Sequence, residues 1–240
     1  PGRLAVCMLL PGLRREYGLD LVVANGENAA GGIGITPDTA EELLGAGVDV
    51  ITTGNHIWDQ REAPTLLESG LPVLRPLNYP PGVPGCGSLV RGKALVVNLM
   101  GRVFMGNFDC PFRAMDSLLK DVHPPVVLVD FHAEATSEKG ALGWYLRGRA
   151  SAVVGTHTHV GTIDAKILPG GTGFVSDLGM CGPSESIIGD EVEGVLARFL
   201  TLRPHRISVG RGDLIFNSIL LDIEEDSGRT TNISRLDRRL

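Results

Sequence analysis

The chain has 240 residues, of which 43% are hydrophobic, and a formal net charge of −6 at pH 7. This size and composition favour one domain with a sizeable core. The mildly acidic balance argues against non-specific binding of long nucleic acid, and no apolar run is long enough to span a membrane. The four cysteines form no Cys-x-x-Cys pair, as is typical of free thiols in a reducing cytosol. Without a signal-peptide pattern, a cytoplasmic protein with a small-molecule partner is expected.

Apolar runs alternate with helix signals along the first half of the chain. Thr36-Pro37, for example, combines a helix N-cap with proline at the first helical position. The predicted helices cover residues 3–17, with a break at Pro11-Gly12, and residues 37–44, 60–67, 112–119, 135–147 and 191–202. The predicted strands cover residues 21–24, 48–53, 88–90, 94–100, 126–131, 152–154 and 214–223. This alternation predicts an α/β fold with parallel strand pairing, followed by a second half richer in strands.

Four of the predicted strands end in residues that can bind a metal ion. The segments that follow them are Asn25-Gly26-Glu27-Asn28, Gly54-Asn55-His56, His132 and Gly155-Thr156-His157-Thr158-His159. Because open α/β sheets bind ligands outside the carboxyl ends of their strands, we expect these segments to meet at one edge. Imidazole nitrogen combined with carboxylate and amide oxygen suits Mn, Fe or Zn.

Each segment also has a plainer interpretation. In extended backbone the i, i+2 spacing of His157 and His159 would place both side chains on one face, as a pair of metal ligands would be, but they could be two unrelated loop histidines. Asn55 could be a turn residue beside an exposed His56, and Glu27-Asn28 could form an Asx-type turn. The glycine-rich stretch at 31–34 lacks the G-x-G-x-x-G spacing of a dinucleotide-binding loop, so we interpret it as a flexible loop.

The remaining histidines and acidic residues near these motifs receive structural interpretations. Glu134 and Glu138 are assigned to the start of the following helix, where the helix dipole favours acidic side chains. His123 and His205 each stand beside a proline in a predicted loop and are assigned to the surface.

Together these motifs resemble those of calcineurin-like metallophosphoesterases. Gly54-Asn55-His56 resembles the GNH signature of that superfamily, and residues 155–159 resemble its closing G-x-H-x-H motif. The segments at 25–32, 75–79, 130–139 and 155–160 are similar to the YmdB-type branch, and the likeness covers nearly the whole chain. The fold implied by the resemblance is α/β, a metallophosphatase-like two-sheet sandwich flanked by helices (α-β-β-α). Residues 1–240 would form a single domain of this kind.

The resemblance further implies a site with two metal ions, Fe or Mn in the first place and Zn as an alternative. Glu27 would bridge the ions, Asn28 and His159 would hold the first, Asn55, His132 and His157 would hold the second, and His56 would be catalytic. The implied reaction is hydrolysis of cyclic nucleotides, with 2′,3′-cyclic nucleotides favoured, by a metal-bridging hydroxide while His56 assists the leaving group. The expected partner is a small phosphodiester, with no membrane and no stable nucleic acid complex, and a homo-oligomer is compatible with the sequence.

The beginning of the chain departs from the pattern of that family. Family members open with a strand that ends in Gly-Asp, and this Asp binds the first metal, whereas Pro1-Gly2-Arg3 resembles the segment after it. We therefore expect an N-terminally truncated domain with either a compromised first metal site or a gap filled in another way. Two alternative functions stay open, a catalytically weak regulatory or nucleotide-binding protein of the same fold and a mononuclear zinc hydrolase.

Overall fold

A computed structural model describes all 240 residues of the chain. Helices α1–α6 span Gly2–Tyr17, Pro37–Gly45, Ala63–Glu68, Pro111–Asp121, Thr136–Leu146 and Val192–Thr201. Strands β1–β13 span Val23–Asn25, Val50–Thr52, Ser88–Arg91, Ala94–Met100, Val126–His132, Ala152–Thr156, Lys166–Leu168, Thr172–Val175, Gly182–Asp190, Val209–Phe216, Ile219–Glu224, Arg229–Arg235 and Arg238–Arg239. None of the six helices is both long and apolar enough to cross a membrane.

The larger sheet has six strands in the order β3-β4-β5-β6-β8-β7. Strands β4, β5, β6 and β8 pair in parallel, and β3 and β7 close the two edges in antiparallel orientation. Every residue of β4 is buried. Its nearly continuous apolar sequence is typical of a parallel strand that is covered on both faces of the sheet.

The second strand layer consists of three smaller sheets, β1-β2, β9-β10-β13 and β11-β12. β1 and β2 pair in parallel, and Val73 extends this sheet through a bridge to Ile51. Helices α1, α2 and α3 cover its outer side through Leu10, Leu43 and Leu66, which belong to one buried apolar cluster with Ile51.

The opposite side of the molecule is built in the same way. Met115 of α4 and Leu142 of α5 pack in a second buried cluster with Phe131 and Val153 of the six-stranded sheet. Between the two strand layers, Val50, Leu74 and Val96 form a small cluster of their own. The layers therefore follow the order helix, strand, strand, helix, and the predicted α-β-β-α sandwich is confirmed.

A large cavity lies between the two strand layers. β1 and β11 each pair with a strand on one edge only, and both strands line this cavity of about 1540 Å³. Val96 and Val154 of the six-stranded sheet line it as well. At the carboxyl ends of the strands the cavity reaches Glu27, His132 and His157, so it leads to the residues singled out in the sequence.

Two predicted elements differ from the structure. Helix α1 continues through Pro11 without the predicted break, because its residues Leu10 and Leu13 are buried on the core and offset the cost of the proline. The predicted strand at 214–223 is two strands, β10 and β11. Polar contacts fix the break between them, since the Asn217 side chain donates to the Met180 carbonyl and the Ser218 backbone N–H donates to Asp237.

Candidate active site

The four segments at the strand ends come together in the structure. Glu27 and Asn28 follow β1, Asn55 and His56 follow β2, His132 is the last residue of β5, and His157 and His159 follow β6. The potential ligand atoms of Glu27, His132 and His157 all lie within 4.8 Å of one another. Three strands from two layers thus deliver one carboxylate and two imidazoles to one point.

His132 lies at the centre of this cluster. Its Nε2 atom lies 2.9 Å from Glu27 Oε2, 3.1 Å from Asn55 Oδ1 and 3.0 Å from His157 Nδ1. One ring nitrogen carries at most one proton, so it cannot satisfy three potential acceptors at once. Such a convergence of lone pairs is stabilised by a cation, and the chemistry of these donors suits a transition metal.

Asn28 and His159 form a second group beside the first. Asn28 Nδ2 lies 3.2 Å from His159 Nε2, while His159 Nδ1 lies 2.7 Å from the Ile188 carbonyl oxygen and donates its proton there. His159 Nε2 therefore carries a lone pair. Asn28 Oδ1 is buried without a hydrogen-bond partner, which costs about 1–3 kcal/mol for a neutral group. A cation bound by these two side chains would remove that cost, so the residues present fit a second metal ion.

A buried hydrogen-bond network orients the ring of His132. Its Nδ1 lies 3.0 Å from Thr156 Oγ1, which donates to Asp130 Oδ1 at 2.7 Å. Because the Thr156 proton is used in this way, His132 Nδ1 must donate, and its Nε2 is left with a lone pair toward the cluster. Asp130 Oδ2 also accepts from Asn25 Nδ2 and Thr52 Oγ1. Burial raises the pKa of Asp130 above its ordinary value, although these hydrogen bonds act in the opposite direction.

Two further pKa shifts favour the ligand forms of the cluster. Burial alone would raise the pKa of Glu27, but in the metal-free chain the contact with the His132 ring and the hydrogen bond from the His56 backbone N–H outweigh it and hold the pKa below its ordinary value. Burial, together with the neighbouring His132 ring, lowers the pKa of His157. Near neutral pH, Glu27 is therefore an anion and His157 a neutral imidazole, the states in which both can bind a metal.

His56 stands at the rim of the cluster, and its backbone and its ring make different contacts. Its backbone N–H donates to Glu27 Oε1 at 2.9 Å. Its ring Nδ1 lies 2.5 Å from Asp59 Oδ2, and about a third of the side chain (37%) is exposed. Because Asp59 accepts the Nδ1 proton, Nε2 is the ring atom that remains available to a bound molecule.

Gly54 makes the close approach of these loops feasible. A Cβ atom at this position would overlap His132 Nε2 and lie only 2.5 Å from Glu27 Oε1. Any side chain here would therefore enter the space in which the carboxylate meets the imidazoles.

Glu134 and Glu138 differ in their relation to helix α5. Helix α5 begins at Thr136, so Glu134 precedes it, and its Oε2 atom lies 3.0 Å from His157 Nε2. Glu138 does lie in the first turn, but its buried carboxylate accepts the backbone N–H groups of Arg102 and Val103. The prediction is thus wrong for Glu134 and confirmed for Glu138, whose carboxylate in addition binds backbone N–H groups of another loop. His123 and His205 are exposed, as expected.

The supporting network of Asp130 and Thr156 was not predicted from the sequence. A signal was nevertheless present, since Asp130 is the one acidic residue of β5 and lies among apolar residues. A buried charge in such a strand needs a polar partner, and the partner is a residue of the neighbouring strand.

Comparison with known proteins identifies the family of the chain. The model of the YmdB-like protein family matches residues 1–236. The chain belongs to this family. It is 43% identical to the protein of Bacillus subtilis (strain 168) named 2′,3′-cyclic-nucleotide 2′-phosphodiesterase, over 98% of this chain and 92% of that protein.

Two crystal structures are similar to the whole chain. One is a hypothetical protein from Thermus thermophilus, with a TM-score of 0.94 and 51% identity, covering 100% of this chain and 94% of that one. The other is a novel phosphatase from Mycoplasma pneumoniae, with a TM-score of 0.93 and 30% identity, covering 99% and 89%. These matches confirm the predicted family and fold, and the names of the relatives support the prediction that the chain is a phosphoric diester hydrolase.

Proposed function

We propose that the protein is a metal-dependent phosphodiesterase that opens 2′,3′-cyclic nucleotides. The observation that carries the proposal is the meeting of Glu27, His132 and His157 within 4.8 Å at the strand ends. The substrate class is taken from the name of the Bacillus subtilis relative, which shares 43% of its aligned residues with this chain.

Two groups of side chains would hold the metal ions, which we propose to be Fe or Mn. Asn55, His132 and His157 would hold one ion, Asn28 and His159 the other, and Glu27 would contact both. Bound ions would activate water near neutral pH and supply positive charge for the phosphate oxygens. The buried, partnerless Asn28 Oδ1 supports the second position.

The residues of the chain prepare the site in two ways. The network from Asp130 through Thr156 keeps the Nε2 lone pair of His132 directed at the cluster. Burial of His132 and Glu27, which are 1% and 2% exposed, excludes water from their contact, so a bound cation would attract both groups with little screening by solvent.

His56 would act on the leaving group. When a cyclic diester opens to a monoester, one ribose oxygen departs from phosphorus and needs a proton. A protonated His56 would donate this proton from Nε2, while Asp59 holds Nδ1 and so fixes the direction of the ring.

The test is hydrolysis of a 2′,3′-cyclic nucleotide by the purified chain, with and without added Mn²⁺, for the wild type and for His56→Ala. We expect metal-dependent turnover and a loss of about 10²–10⁴-fold in kcat for the variant, the range typical of general acid catalysis. His123→Ala, which removes an exposed histidine from a loop outside the cluster, is the matched control and should retain full activity.

Either of two results would contradict the proposal. Unchanged turnover in His56→Ala would remove His56 from the reaction. Absence of turnover in the wild type, with and without Mn²⁺, would exclude the phosphodiesterase and favour a nucleotide-binding protein of the same fold.

A further inference from the structure

A buried ion pair beside the cluster takes no part in the chemistry proposed above. Lys139 of α5 and Asp177, just after β8, join through Nζ and Oδ2 at 2.8 Å, and both side chains are almost fully buried. Burial of two charges costs desolvation free energy that the pair often fails to recover. Overall stability is therefore a weak explanation for this pair, and its other contacts point to a different role.

The carboxylate of Asp177 is bonded to the segment that carries His157 and His159. Its Oδ2 atom accepts the Thr158 backbone N–H at 3.0 Å and the Thr158 hydroxyl at 2.8 Å. Its Oδ1 atom accepts the Gly179 N–H at 2.8 Å. Asp177 thus holds Thr158, the residue between the two histidines, through both the backbone N–H and the side-chain hydroxyl of Thr158.

The histidine segment needs such support because its backbone is strained. His157 has a φ of 105° and His159 a φ of 67°, values that residues with a Cβ atom rarely adopt. A strained conformation persists only where the surrounding structure fixes it. The turns at these two residues set the directions in which both imidazoles leave the backbone.

Lys139 packs against the same segment. A Cβ atom at Gly155 would overlap the Ser176 carbonyl oxygen and lie 2.9 Å from Lys139 Cδ. The lysine stem, Gly155 and the 176–177 backbone are therefore in close contact. The Lys139 ammonium group donates to Asp177 Oδ2 at 2.8 Å and so holds the carboxylate in place beside Thr158.

We propose that Lys139 is a positioning residue for metal binding. Through Asp177 and Thr158 it fixes the strained turns at His157 and His159, so that both imidazoles are directed toward the cluster before a divalent cation binds. The inference rests on the proposed function, in that these histidines bind a metal.

The test is titration of the metal-free chain with Co²⁺, followed by visible absorption, which reports both affinity and coordination geometry. Lys139→Met keeps the length of the stem and removes the charge. We expect Co²⁺ affinity to fall about 10–100-fold, as is typical when a group that orients metal ligands is lost, and the absorption bands to change.

Two additional variants separate positioning from folding. Thr158→Val removes only the hydroxyl donor to Asp177, keeps the β-branched shape, and should also weaken Co²⁺ binding. Arg14→Met breaks the ion pair of Arg14 with Asp49 (2.6 Å), which joins α1 to the start of β2 and does not contact the histidines. It should lower the unfolding temperature while Co²⁺ affinity and spectrum stay as in the wild type.

The outcomes are distinguishable. If Lys139→Met and Thr158→Val both bind Co²⁺ with wild-type affinity and spectrum, the positioning role is wrong and the pair is only structural. If the wild type binds Co²⁺ and loses affinity in both variants but hydrolyses no cyclic nucleotide, the positioning role stands and the proposed function fails. A wild type that binds no Co²⁺ overturns both.

Discussion

The two halves of the candidate site differ in how firmly the backbone holds them. One half, which we call the wide-sheet half, comprises His132, Thr156 and His157 at the ends of β5 and β6. These strands have seven and five residues and are paired on both sides. The other, the narrow-sheet half, comprises Glu27, Asn28, Asn55 and His56. It follows β1 and β2, which have three residues each, and one edge of β1 faces the cavity.

The narrow-sheet half is nevertheless held in place because it is bonded to the wide sheet. Glu27 is only 2% exposed and contacts His132 at 2.9 Å. Just ahead of the two loops, Asn25 Nδ2 donates to Asp130 and the Thr53 backbone N–H donates to Asn98 Oδ1, both at about 3 Å. Polar contacts between the layers thus replace strand pairing as the source of order.

Glu27→Gln should have the largest effect, because it removes the carboxylate of the narrow-sheet half that contacts His132. We expect kcat/KM for a cyclic nucleotide to fall ~10³-fold, since the lost metal contact corresponds to several kcal/mol of transition-state stabilisation. Glu68→Gln, at the exposed end of α3, is the control and should leave turnover unchanged. Retention of more than a tenth of the activity in Glu27→Gln would show that the halves work without this contact.

Gly54→Ala should separate the halves without removing a functional group. The new methyl group would occupy the space between His132 and Glu27, so the loops must move apart and activity should fall by ~10²-fold or more. Gly45→Ala, at the end of α2, meets no atom within 4 Å and should stabilise the fold by up to about 1 kcal/mol. Steady-state kinetics and thermal unfolding of both variants check this, and an active Gly54→Ala would contradict the close packing.

The pH dependence of stability should distinguish the halves in the metal-free protein. The pKa of His157 lies below its ordinary 6.5 and that of Glu27 below its ordinary 4.5, so the folded state binds protons less readily than the unfolded state at both groups. The contribution of these two groups to the free energy of unfolding should therefore be highest above pH 6.5 and fall in two stages on acidification, first from His157 and then, below pH 4.5, from Glu27, whereas Asp130, with its raised pKa, contributes in the opposite direction.

Urea denaturation between about pH 8 and pH 4 measures this profile. His157→Gln should lack the first stage and keep the second. A wild-type profile that stays level down to pH 5, or a first stage that survives in His157→Gln, would show that the lowered pKa of His157 does not cause the loss of stability.

Much of the site could be predicted from sequence because its donors follow recognisable strands. The apolar runs before Glu27, Asn55, His132 and His157 predicted that these side chains meet at one edge, and they do. The residues that hold these side chains in place could not be predicted from the sequence. Periodicity reports which face of an element is buried, whereas pairs such as Lys139 and Asp177, 38 positions apart, depend on how the layers pack.

The continuous helix α1 illustrates the same limit. Proline at position 11 locally favours a break, and only the burial of its neighbours on the core overrides this preference. The side chain of Glu134 likewise turns to His157 because that ring lies nearby in space.

His56 makes separate contacts through its backbone and its side chain, and this separation decides what a substitution at this position would report. Its amide N–H donates to Glu27, while its ring contacts Asp59. A substitution of the ring leaves the amide in place, so the Glu27 carboxylate keeps its anchor when the imidazole is removed. A change in turnover in such a variant would therefore reflect the lost imidazole and not a collapse of the neighbouring carboxylate.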